Sequence, residues 1–64
     1  MDINLLERCI QLTFPDLNFK MENVERIQIE DSELFYGYKK IYFKMKNSYM
    51  NYVLHFNEKE LSIF

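Results

Sequence analysis

The sequence predicts an α+β domain in which one N-terminal amphipathic helix packs on one face of a four-stranded antiparallel meander sheet. Three observations lead there. Apolar residues recur at helical spacing only ahead of Pro15, they alternate at strand spacing from residue 24 onward, and a single register sorts two of the expected strands into clean faces. The 64 residues are 48% apolar and 28% charged, a globular rather than disordered composition, and a length that allows one small domain over residues 1–64.

Helix formation is expected over about residues 3–13. Asp2 is a good N-cap, and Ile3, Leu6, Ile10 and Thr13 follow at helical spacing, flanked by Leu5, Cys9 and Leu12. Asn4, Glu7, Arg8 and Gln11 form the polar side, and Pro15 biases Phe14 out of helical geometry. Three turns of helix do not persist alone in water, so this segment needs a sheet beneath it. Residues 16–23 carry the weakest pattern. Phe19 and Met21 alternate with Lys20 and Glu22, which suits a short strand or an extended connector.

Strands are expected at about 24–30, 34–46, 49–57 and 61–64. A two-residue turn at Asn47-Ser48 pairs Met45 with Met50, Phe43 with Tyr52 and Ile41 with Leu54 on one face. It pairs Lys44 with Asn51, Tyr42 with Val53 and Lys40 with His55 on the other. A slip of one residue scrambles both faces, so the register is well specified. A turn at Asp31-Ser32 pairs Ile29 with Leu34 and Ile27 with Tyr36, and one at Glu58-Lys59 pairs Phe56 with Leu61 and Leu54 with Ile63. The inward positions are even-numbered before Gly37 and odd-numbered after it. A bulge or break between Gly37 and Lys40 is therefore required.

One short helix covers only one face of such a sheet. Ile27, Ile29, Leu34, Ile41, Phe43, Met45, Met50, Tyr52, Leu54, Phe56, Leu61 and Ile63 are assigned to that face. The opposite face is expected to carry Phe35, Tyr42, Tyr49, Val53, His55 and Phe64 among Lys40, Lys44 and Lys46. Five Tyr and six Phe, 17% of the chain, exceed what a core this small hides readily, so exposed aromatic surface is expected.

No catalytic grouping is legible. His55 is the only histidine and Cys9 the only cysteine, so neither a metal set at recognised spacing nor a nucleophile–base pair can be assembled, and no metal or cofactor is expected. Cys9 reads as a small core hydrophobe. The acids Glu22, Glu25, Glu30, Asp31 and Glu33 lack the alternating ligands and turn glycine of a calcium loop. They read as turn solvation, or more sharply as an acidic edge that imitates phosphate towards a basic protein.

Charge is unevenly distributed. Residues 1–33 carry eight acids against Arg8, Lys20 and Arg26, a net of −5, while residues 34–64 carry five lysines against Glu58 and Glu60, a net of +3. The three charges within residues 1–14 argue against a signal peptide, and no apolar run approaches the length of a membrane span. An unpaired thiol favours a reducing compartment, so the cytoplasm is the expected location. The absence of alanine and the abundance of Asn, Lys, Ile, Phe and Tyr suit A/T-rich codons, as in a low-GC bacterium or its phages.

These features point to a non-enzymatic protein-binding module, in its sharpest form a phage- or mobile-element-encoded inhibitor of a host protein. Its expected binding face comprises Phe35, Lys40, Tyr42, Lys44, Tyr49, Val53 and His55, and its expected partner is a host protein or a second copy, as a homodimer. The rival is a single-stranded nucleic-acid binder that stacks bases on Tyr36, Tyr38 and Tyr42 while Lys39, Lys40, Lys44 and Lys46 follow the phosphates. The acidic balance and the presence of only two arginines weigh against that rival.

Overall fold

Asp2 caps the first helix as its side chain requires, accepting the Leu5 amide at 3.1 Å, and α1 runs over Ile3–Thr13. The computed structural model describes residues 1–64. Two single 3₁₀ turns, Pro15–Leu17 and Met21–Asn23, lead to β1 (Val24–Asp31), β2 (Lys39–Met45), β3 (Asn51–Asn57) and β4 (Ser62–Ile63). The strands form one antiparallel sheet in the order β1-β2-β3-β4, so the fold is α+β.

Leu6 and Ile10 of α1 bury their side chains against Ile41, Phe43, Leu54 and Phe56 of the sheet. The core holds a seventh residue, Phe19, from the segment with the weakest sequence pattern. Its ring is 1% exposed and stands edge-on to Phe43, centroids 5.1 Å apart. The connector is neither strand nor extended. Asn18 adopts left-handed geometry (φ 52°, ψ 44°) and turns Phe19 inward. Two residues from the polar side of α1 then hold the connector: Gln11 donates to the Phe19 carbonyl at 2.9 Å, and Glu7 accepts the Met21 amide at 2.7 Å.

The β2–β3 ladder has the expected register, from Lys39–Phe56 to Lys44–Asn51. The three turns differ from expectation, and they do so for a common reason. In each, a short polar side chain captures a backbone amide and stabilises a loop longer than two residues. Ser32 accepts the Phe35 amide at 3.0 Å, Ser48 accepts the Met50 amide at 3.2 Å, and Asn57 accepts the Glu60 amide at 3.0 Å.

The largest consequence falls on residues 32–38, which form a loop rather than the start of a strand over 34–46. Ile29 pairs with Ile41 and Ile27 with Phe43, replacing the expected pairs with Leu34 and Tyr36. The parity conflict at Gly37 disappears, because Leu34 and Tyr36 belong to no strand and lie exposed. Gly37 takes φ 83° within the loop, which the Ser32 amide closes by donating to the Tyr38 carbonyl at 3.0 Å. The true irregularity sits between Val24 and Arg26, where Glu25 bulges out of β1.

The other two turns move fewer residues. Asn47 adopts φ 62°, β3 begins at Asn51 rather than 49, and Met45 does not pair with Met50. After β3, Leu61 takes φ 55°, so Phe56 meets Ile63 instead of Leu61. Leu34, Met50 and Leu61, all expected in the core, are exposed in these turns.

Candidate functional site

Side chains alternate across a strand, so each ladder fixes what shares the face that α1 leaves open. Three rows cross it. Arg26, Lys44 and Asn51 form one, Gln28, Tyr42 and Val53 the next, and Glu30, Lys40 and His55 the third. Phe64 extends the third row, exchanging backbone hydrogen bonds of 2.8 and 3.0 Å with His55. Of the residues expected on a binding face, Lys40, Tyr42, Lys44, Val53 and His55 are thus brought together.

Phe35 joins them from the loop rather than from a strand. Its ring packs edge-on against His55 and Phe64, each with centroids 5.0 Å away, and Tyr38 lies 5.5 Å from Phe64. The Tyr38 hydroxyl donates to Ser62 Oγ at 2.8 Å, pinning the loop to β4. These aromatics enclose the His55 ring, whose Nδ1 is buried without a hydrogen-bond partner. Tyr49 does not belong to the face. It is 99% exposed in the turn beyond the opposite end of the sheet, because the 46–50 loop carries it off the strand.

The lysines that suggested a phosphate track are engaged within the chain. Lys44 binds the Glu25 carboxylate at 3.0 Å, and Lys39 pairs with Asp31 beside it in the ladder. Lys46 leaves the face altogether, donating to the Glu22 carbonyl at 3.0 Å. The Lys40 ammonium sits over the Tyr42 ring, 5.0 Å from its centroid. The Tyr42 side chain beneath it is the first cause that holds Lys40 above the ordinary lysine value, with Glu30 and Glu33 adding attraction. Hydrogen bonding from Lys44, then its charge, lowers the Glu25 carboxyl.

The remaining groups make no constellation. Cys9 is a free thiol, half-buried against the core, and no three His, Cys, Asp or Glu residues gather where they could hold a metal ion. Sequence reasoning missed Arg26, Gln28 and Glu30 as members of the face, although the alternation of Val24–Asp31 contains them. A shallow depression of about 320 Å³ lies among these three, Tyr42 and Asn51. No helix is long and apolar enough to cross a membrane. No protein-family model matches the chain, and no curated protein or solved structure is significantly similar to it.

Proposed function

We propose that this chain is a non-enzymatic protein-binding module and that the open sheet face is its contact surface. One observation carries the reading: both lysines of the face are engaged from within, Lys44 by Glu25 and Lys40 over Tyr42, which leaves Arg26 as its one cation without such a partner, while apolar surface beside them stays in water. Val53 is 45%, Phe35 38% and Phe64 49% exposed. Such a surface has little to offer a phosphate backbone, which is held by free lysines and arginines. It suits a protein partner instead, whose contacts are aromatic anchors within a mixed polar rim. The partner is a host protein or a second copy of this chain, and inhibition of a host protein in the cytoplasm is the role that the A/T-biased composition suits.

The test compares wild type with Val53→Asp. Partner capture from bacterial lysate, light scattering for self-association and a fluorescent oligothymidine titration are run on both proteins. The reading holds when a defined protein complex, hetero- or homomeric, forms with wild type, resists salt and is lost in Val53→Asp. Salt-steep binding of the oligonucleotide by wild type overturns it in favour of nucleic acid.

A further inference from the structure

Two charged side chains of the open face have no ion pair within the chain. The ion pairs of the molecule are Lys39–Asp31 and Lys44–Glu25, which leaves Arg26 and Glu30 exposed and outside both. Glu30 receives only a long hydrogen bond, 3.5 Å, from Gln28, and Lys40 opposite it in the ladder lies over Tyr42. Arg26 and Glu30 share one strand and one face, with Gln28 midway between them. Four residues of strand set them about 13 Å apart, at about 3.3 Å per residue. The depression of about 320 Å³ spans all three and reaches Tyr42 and Asn51. Opposite charges placed evenly about a midpoint suit a two-fold operation, in which residue i meets residue j and j meets i.

Two copies can lay their open faces together about an axis that crosses the strands through the row Gln28, Tyr42 and Val53. Each of these three then meets its own counterpart, and exposed Val53 is covered by its twin. The first row of one copy lies on the third row of the other. Arg26 meets Glu30 of the second copy, Glu30 meets its Arg26, and Asn51 meets its His55. Lys44 and Lys40 make the one like-charge contact, relieved by Glu25 on the first and by Tyr42 beneath the second. An axis along β2 stacks both lysines on their own copies and sets Arg26 on Asn51, so it pairs no charge with its opposite. We infer, on the basis of the open-face reading above, that the partner of this face is a second copy of the chain, held by reciprocal Arg26–Glu30 ion pairs between antiparallel β1 strands. Packed sheets cross at about 30°, an offset that these two long side chains span. Three rows of three residues a side fall short of the roughly 20–30 that a standard interface contributes, so the dimer is a weak one.

The test is sedimentation equilibrium of the full chain from micromolar to millimolar concentration, with circular dichroism as the check of folding. Wild type is expected to be dimeric at the upper end of that range. Arg26→Glu and Glu30→Arg each bring like charges together twice and are expected to weaken dimerisation about tenfold or more. An equimolar mixture of these two variants is expected to associate at least as well as wild type, because every contact between positions 26 and 30 then joins opposite charges. The double variant regains the pairing in the same way. Where a reversal disturbs the fold, Arg26→Gln and Glu30→Gln take its place, removing the attraction without adding repulsion and so weakening the dimer less. A wild type that stays monomeric at millimolar concentration, single reversals that dimerise as wild type does, or a mixture that stays monomeric overturns the inference. A monomeric wild type whose heteromeric complex is lost in Val53→Asp overturns it alone and leaves the open-face reading standing. A dimer indifferent to Val53→Asp overturns both.

Discussion

Lys44 stands opposite Arg26 in the β1–β2 ladder, yet its ammonium binds Glu25, the residue bulged out beside Arg26, at 3.0 Å. Two like charges directly opposite destabilise a sheet, and the bulge brings an anion to relieve them. Its carboxyl is held below the ordinary value of 4.5, so the pair's contribution to stability is complete above that value and is lost as pH falls through the lower folded one. Glu25→Gln is therefore expected to be less stable than wild type at pH 7, with the gap closing in acid. Urea unfolding of both proteins at pH 7 and pH 3 measures this, and a gap that is independent of pH refutes it.

Phe19→Ala is expected to cost about 3–5 kcal/mol, as truncation of a fully buried phenylalanine does. Phe19 is the only core residue outside α1 and the sheet. A chain of this size has stability of only that order to lose, so the variant is expected to be largely unfolded at 25 °C. Circular dichroism against temperature provides the measurement.

Gly37→Ala tests whether the 32–38 loop holds Phe35 in place. The backbone there is left-handed, φ 83°, and a Cβ would lie 3.4 Å from Asn57 Nδ2. The cost expected for a non-glycine residue at such a φ is about 1–2 kcal/mol. The fold survives, and nuclear Overhauser contacts between Phe35 and the His55 ring weaken. Unaltered contacts together with unaltered stability would show the loop to be indifferent to this position.

Tyr42→Ala separates interaction from folding. Tyr42 is half-buried on the open face, paired with Gln28 and Val53 and capped by Lys40. Loss of cross-strand contacts is expected to cost about 1 kcal/mol of stability at most. Loss of partner binding at a hot spot is larger, about 2 kcal/mol or more. Chemical denaturation and the partner titration read the two quantities independently. A variant that unfolds while a refolded fraction still binds would place Tyr42 in the folding core instead.

The face was legible wherever its residues lie in strands. Lys40, Tyr42, Lys44, Val53 and His55 follow from one register that only a single alignment of polar and apolar residues satisfies. Phe35 reaches the face from a loop instead of the expected strand, and Tyr49 misses it, because both sit in turns. Periodicity carries no information about a side chain once the strand that would orient it has ended.

What the amino-acid sequence determined by itself was local and periodic: the capped helix Ile3–Thr13, the alternation of β2 and β3, and the pairing between them. Each rests on side chains near in sequence or on a pattern repeated over many residues. The tertiary structure alone decided the turn lengths, the β1–β2 register, the inward turn of Phe19 and the enclosure of His55 by Phe35 and Phe64. These depend on single hydrogen bonds, such as Ser32 to the Phe35 amide, and on whether a distant surface is free to receive the segment they fold. A two-residue turn and a seven-residue loop differ locally by a few such bonds. Burial of Ile27 and Ile29 against Phe43 and Ile41, which only the assembled sheet offers, selects the loop.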